Sequence, residues 1–332
     1  MIQIDNLNKQ FGSITAVEDV SLTVEEGKIC VLLGPSGCGK TTTLKMINRL
    51  VTPTSGTIKI GGRDTSEMDS VSLKRSIGYV IQQVGLFPNM TIEDNICVVP
   101  NLLGWDKNKS RQRAAELLEV VALDPSLFLR RYPCELSGGQ QQRVGVARAL
   151  AADPPVMLMD EPFGAIDPIN REVIQDEFMR IQRQVNKTVL FVSHDIDEAV
   201  KMADCIALFH NGKIAQFGCS DDLLARPSSE FVANFMGSDR IMKRLRLLRS
   251  VDVASKVPPA EPLQSGGGSN ETSSRAQLVV KPQDDLGHVL SQLLGRGQNW
   301  ALCNDVDGRF IGYVHQTDIL ARLVENSTPV GR

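Results

Sequence analysis

The octapeptide Gly34–Thr41 (GPSGCGKT) constrains this chain more than any other stretch. It fits G-x-x-x-x-G-K-[ST] at every fixed position, with the apolar run Ile29–Leu33 before it and the helix-compatible Thr42–Leu50 after it. Gly34, Gly37 and Gly39 let backbone N–H groups close around a β-phosphate, and Pro35, Ser36 and Cys38 complete the loop. The helix N-terminus behind adds its positive end. Lys40 brings a point charge to the β- and γ-phosphates, Thr41 a hydroxyl to Mg2+, and Thr42 a donor to the α-phosphate. Binding and hydrolysis of a nucleoside triphosphate are therefore expected.

Two further segments answer the first. Val156–Pro162 (VMLMDEP) reads as an apolar strand ending in two carboxylates. Asp160, delivered beside Lys40 and Thr41, would partner Mg2+, and Glu161, turned the other way along the pleat, would polarise an attacking water. In Leu136–Gln140 (LSGGQ), the residues Ser137, Gly138, Gly139 and Gln140 stand ahead of a helix running to about Ala152. They make a second backbone cradle for an anion. One γ-phosphate has room for only one full cradle, so the second would serve a nucleotide held by a partner chain; a simple Ser-Gly-Gly helix cap is the alternative.

At 332 residues the chain exceeds one ordinary domain, and its 42% hydrophobic content is enough for a packed core. No apolar stretch approaches the ~18–20 residues that span a bilayer. The start, MIQIDNLNKQ, lacks the build of a signal peptide, so a cytosolic location is expected, with a peripheral seat on a membrane protein left open. A net charge of −3 demands no nucleic-acid partner. The seven cysteines form no C-x-x-C pair and read as reduced thiols.

Along the chain, an opening rich in β-pattern (Ile2, Ile4, Leu7, then Val17–Val24) leads into the phosphate loop. The texture turns helical from about Phe87 to Leu150, where Ala114, Leu117, Leu118 and Val121 share one face. Strand patterns return at Val156–Met159 and Thr188–Val192, and Cys205–Phe209 and Lys213–Phe217 flank the hairpin dipeptide Asn211-Gly212. This order predicts an α/β fold around a mainly parallel sheet. After about Gly237 come a basic stretch, Arg240–Arg249, in which Ile241, Leu245 and Leu248 would share a face, and a Pro/Gly/Ser-rich linker. The stretch reads either as a solvated connecting helix or as a sensor of anionic lipid or ionic strength. Pattern returns with Gln277–Val280, Leu286–Leu294, Trp300–Leu302, a turn at Asp305–Gly308, Phe310–Val314 and a helix from Thr317.

The three motifs together resemble the nucleotide-binding subunit of an ABC (ATP-binding cassette) ATPase over about residues 1–237. The resemblance implies a phosphate-loop domain with a parallel core sheet, an antiparallel β subdomain and a helical subdomain, and it implies ATP and Mg2+ as cofactors. It places Phe11 against adenine, Gln82 on Mg2+ and the attacking water, and Gly164–Asp167 (GAID) across the subunit boundary, with Asp167 near the nucleotide and Ile166 where leucine is usual. His194 becomes the switch histidine on the γ-phosphate, beside Lys40, Gln82 and Glu161; read alone, it is a strand-end histidine capping Asp195 or Asp197. More narrowly, NMTIEDNICVVPNLLGW, RYPCELSGGQQQRVGVARALAADPPVMLMDEPFGAIDP and SHDIDEAVKMAD resemble ATPase subunits of importers for quaternary-amine osmoprotectants. That implies a homodimer or a paired ABC ATPase on the cytoplasmic face of the membrane, coupled through segment 82–90 to permease subunits and through them to an extracytoplasmic solute-binding protein. Residues 276–325, beyond a linker at 238–275, resemble one cystathionine-β-synthase (CBS) motif of α+β type. It would hold an adenosine nucleotide shared by two chains, with Thr317 and Asp318 near the ribose, or serve dimerisation alone.

Overall fold

A computed structural model describes residues 2–81, 85–164, 166, 168–258 and 277–324. The chain divides into two compact units, Met1–Ser220 and Asp221–Arg332.

The first unit is built on two sheets. Strands β1 (Ile2–Phe11), β2 (Ile14–Val24), β4 (Ser55–Ile60) and β5 (Arg63–Asp64) form an antiparallel sheet in the order β2-β1-β4-β5. Its core residues Ile2, Ile4 and Leu7 break strict alternation because Asn6 takes a left-handed φ of 45° and the register shifts between Ile4 and Leu7. Such a bulge restores the inward direction after one extra residue. The second sheet holds β3 (Ile29–Leu33), β6 (Ile77–Val80), β7 (Val156–Asp160), β8 (Thr188–Val192), β9 (Cys205–His210) and β10 (Lys213–Gly218), in the order β10-β9-β3-β8-β7-β6. All its pairings are parallel except the β9–β10 hairpin.

Every residue of β3, β7 and β8 is buried, as expected of central parallel strands covered on both faces. The hairpin turns at Asn211 (φ 48°) and Gly212 (φ 81°), the Asn-Gly signature of the sequence. Helices Ile92–Leu102, Lys107–Val120, Pro125–Phe128 and Gly138–Leu150 fill the chain between β6 and β7. Ala114, Leu117, Leu118 and Val121 are buried together.

In the second unit, β11 (Val279–Val280), β12 (Trp300–Asn304) and β13 (Phe310–His315) form one sheet, parallel between β11 and β12 and antiparallel between β12 and β13. Helices Leu286–Arg296 and Gln316–Val324 pack on it through Leu286, Val289, Leu293, Ile319 and Leu323. The basic helix Arg240–Leu247 is not a solvated rod. Arg244 is 2% exposed and donates to the Asp221 carboxylate and to the last carbonyls of the C-terminal helix, at Leu323 (3.1 Å) and Arg322 (3.4 Å). Leu245 joins the core, but Ile241 is 46% exposed and Leu248 lies beyond the helix in extended backbone, so the expected apolar face has one buried member on the helix itself.

Candidate nucleotide site

Because β3, β7 and β8 run parallel, their C-terminal ends open on one edge of the sheet, where open α/β sheets carry their sites. The phosphate loop leaves β3, Asp160 and Glu161 end β7, and Ser193 and His194 follow β8.

The loop's shape depends on its glycines. Gly39 sits at φ 104°, and a Cβ there would stand 2.5 Å from the Ala16 carbonyl oxygen. Gly37 has φ 79° and opens onto free space, so conformation alone demands glycine. The β9–β10 turn braces the loop, since Gly212 N–H donates to the Cys38 carbonyl at 3.2 Å. Lys40 is 6% exposed, and its ammonium donates to the carbonyls of Gly34 (2.7 Å) and Pro35 (2.8 Å), with Cys38 Sγ at 3.7 Å. The charge is thereby held within the loop. The following helix, Lys40–Ile47, begins at Lys40 rather than at the expected Thr42, so Lys40 and Thr41 lie on its first turn and their side chains are oriented by it.

Thr41 Oγ1, on the first turn of the helix, donates to Asp160 Oδ1, at the end of β7, across 3.0 Å. Burial pushes the Asp160 carboxyl above its ordinary range; the Thr41 hydrogen bond and the Lys45 charge oppose the shift. The pair offers only oxygen donors, the chemistry a hard cation such as Mg2+ takes.

Glu161 turns away immediately. Its φ is 46°, a left-handed conformation costly for a side chain with a Cβ, and its N–H donates to the Val192 carbonyl at 3.1 Å. Phe163 anchors the next turn, edge-on to Phe178 (5.9 Å) and Phe191 (6.3 Å). The result sets Glu161 Oε1 3.5 Å from His194 Nδ1. These two, with Phe163, Gly164, Arg171, Ser193, Asp195 and Glu198, line one small cavity. The helix following His194 is capped by Asp195 Oδ1, which accepts from Asp197 N–H (2.9 Å) and Glu198 N–H (3.2 Å); His194 is left for other work and is largely exposed. Sequence reasoning did not single out Arg171, Ser193, Asp195 or Glu198 as members of this cluster. Their signal is faint: an Asp three residues before a Glu at a helix start, and an arginine near the beginning of the preceding helix.

Ser137 caps helix Gly138–Leu150, accepting from Gln140 N–H (3.3 Å) while Gln140 Oε1 accepts from Ser137 N–H (3.0 Å). Ser137 and Gly138 are exposed on a cleft of about 630 Å3 that Gly139, Gln140 and Arg143 also line. None of the phosphate-loop residues lines that cleft. LSGGQ is thus a helix cap, and the cleft it lines is not lined by the chain's own phosphate loop. Phe11 lies at the end of β1, 50% exposed, with Lys9 Nζ 4.7 Å from its ring centre. Gln82 and Asp167 lie outside the described residues.

The family model described as ABC transporter matches residues 17–164. The Osmoprotectant import ATP-binding protein OsmV of Salmonella typhimurium is 50% identical over 99% of this chain and 97% of its own length. The Glycine betaine/carnitine/choline transport ATP-binding protein OpuCA of Bacillus subtilis is 53% identical over 73% of this chain and 64% of its own length. Among solved structures, the post-hydrolysis dimer of the ATP-binding cassette MJ0796 bound to ADP and Pi matches with a TM-score of 0.58 at 34% identity, covering 66% of this chain and 98% of that one. These likenesses show that the chain belongs to the ABC transporter family as one of its ATP-binding, ATP-hydrolysing subunits.

Proposed function

We propose that this subunit powers uptake of a quaternary-amine osmoprotectant (glycine betaine, choline or carnitine) through a separate membrane permease. One observation carries the reading: likeness to an osmoprotectant import protein runs through 99% of this chain, second unit included, whereas the solved cassette accounts for 66%. The subunit would sit on the cytoplasmic face of the membrane and meet the extracytoplasmic solute-binding protein only through the permease. Among the described residues no helix is long and apolar enough to cross a bilayer.

In this reading two copies close head to tail. The loop of residues 34–39 wraps the phosphates, Lys40 neutralises the β- and γ-phosphates, and Thr42 reaches the α-phosphate. Thr41 and Asp160, with Gln82, would hold Mg2+, which when bound draws charge off the transferred phosphoryl group. Phe11 offers its ring to adenine. Ser137, Gly138, Gly139 and Gln140 of one copy, with its Asp167, cover the nucleotide of the other, a reading supported by the cleft that this cap lines and that no phosphate-loop residue lines. ATP then acts as the differential ligand that favours the closed pair. Glu161 takes the proton of the attacking water, and His194, 3.5 Å away, orients Glu161 and the γ-phosphate. Residues 276–325 of the second unit are read as a single CBS-like motif, either binding an adenosine nucleotide between two copies or pairing them.

Uptake of radiolabelled glycine betaine, choline and carnitine is the test, in cells lacking other osmoprotectant systems and supplied with this chain and its permease. At least one substrate should accumulate, and Lys40→Ala should abolish it. Accumulation of none of the three, or accumulation indifferent to Lys40→Ala, would point instead to another solute or to a soluble ATPase.

A further inference from the structure

One side chain joins the segment after Glu161 to the loop bearing His194. Arg171 lies near the start of helix Pro168–Val185. Its Nη2 donates to the Ile166 carbonyl at 3.0 Å, and its Nη1 stands 3.4 Å from Asp195 Oδ2. Its Nε is buried with no hydrogen-bond partner among the described residues. Asp195 in turn fixes the backbone on both sides of His194. Its N–H donates to Ser193 Oγ at 3.0 Å, and its Oδ1 caps the next helix.

A second grip lies one turn further along the same helix. Gln175 Nε2 donates to Glu198 Oε1 at 3.5 Å, and Ser193 Oγ donates to the other oxygen of Glu198. Arg171 and Gln175 are four residues apart and so share a helix face. Between them they hold the 193–198 loop at two points, and both Arg171 and Glu198 line the cavity shared by Glu161 and His194.

We propose that Arg171 is a positioning residue for hydrolysis, making the placement of His194 follow that of Ile166. This rests on reading Glu161 and His194 as the water-positioning pair and the GAID segment as the one that crosses to the neighbouring copy. A guanidinium is a planar fork whose N–H directions are fixed relative to one another. Displacing the Ile166 carbonyl therefore turns the fork and carries the Asp195 carboxylate with it. A shift of the crossing segment at one nucleotide would be relayed to the histidine of the other, which is a coupling between two sites.

The test is steady-state ATPase activity and ATP binding of the full chain assembled with its permease, for Arg171→Gln, Arg171→Lys, Asp195→Asn and the double variant Arg171→Gln/Asp195→Asn. Asparagine keeps the helix cap and removes the charge. Arg171→Gln should lower kcat about tenfold or more, with KM for ATP and melting temperature nearly unchanged, and lysine, which can serve one contact at a time, should restore part of the loss. The double variant should be no slower than the worse single, because both remove one linkage. Parental kcat in Arg171→Gln, losses that multiply in the double, or a melting temperature that tracks kcat would each overturn the inference. Glu161→Gln and His194→Ala run alongside. Turnover surviving in both removes the pair that Arg171 serves, and the inference with it; turnover lost in both but kept in Arg171→Gln removes the inference alone.

Discussion

His194 Nδ1 stands 3.5 Å from Glu161 Oε1, although the two residues follow different strands and are far apart in the chain. The contact exists because β7 and β8 are parallel neighbours, Asp160 pairing with Val192, so that whatever follows each strand emerges on the same edge. The left-handed turn at Glu161 then swings its carboxylate across to the histidine.

Glu161→Gln should keep the shape of the site and lose the base. Turnover is expected to fall about 10²–10⁴-fold while ATP still binds and holds two copies together. Radiometric ATPase assay and size-exclusion chromatography with ATP check both halves. Parental turnover would remove Glu161 from the chemistry.

Gly39→Ala and Gly37→Ala separate crowding from conformation. At Gly39 the added Cβ meets the Ala16 carbonyl at 2.5 Å as well as a φ of 104°; at Gly37 only the φ of 79° resists. Gly37→Ala should cost about 1–2 kcal/mol of stability and Gly39→Ala clearly more, about 2–4 kcal/mol. Urea denaturation of the two variants gives the difference; equal costs would mean the loop relaxes away from Ala16.

Glu198 should make stability fall with rising pH. It is 6% exposed, and burial pushes its carboxyl from 4.5 up to about 7, with Asp195 adding to the shift while the Ser193 and Gln175 hydrogen bonds and Arg171 oppose it. Since the folded chain prefers the protonated acid, stability is fully present below pH 4.5 and is lost progressively as pH rises through about 7. Glu198→Gln should therefore gain on the parent as pH rises across that range, reaching on the order of 3 kcal/mol above it, at pH 8. Melting temperatures of both proteins from pH 5 to 8 test this, and parallel curves would contradict it.

Arg244→Gln should destabilise the second unit. The substitution takes the guanidinium from the half-buried Asp221 and its two hydrogen bonds from the Arg322 and Leu323 carbonyls. A loss of about 2–4 kcal/mol is expected. Differential scanning calorimetry would show the affected transition moving down; no movement would mean water replaces the guanidinium freely.

How much of this could be read beforehand depends on how local each feature is. The phosphate loop, the acidic strand end and the Asn211-Gly212 hairpin are runs of adjacent residues, and their conformations follow from the glycines, carboxylates and apolar flanks they contain. The serine cap of LSGGQ is equally local, and its capping box is spelled by Ser137 and Gln140. The strands and helices of residues 277–324 were legible from alternation and turn residues, with ends moved by one or two positions. The apolar face expected over Ile241, Leu245 and Leu248 was not, because the helix stops at Leu247 and because Arg244, a residue expected in water, found a buried carboxylate and two carbonyls.

The amino-acid order by itself determined which residues can bind phosphate, hold a hard cation and take a proton, because those capacities belong to side-chain type and to the backbone freedom of neighbouring glycines. Only the tertiary structure decided which of them meet. The strand order β3-β8-β7 sets Thr41 against Asp160 and Glu161 against His194, and it lets Arg171 span from Ile166 to Asp195, since sheet pairing and helix packing bring together residues whose separation along the chain carries no signal of the contact.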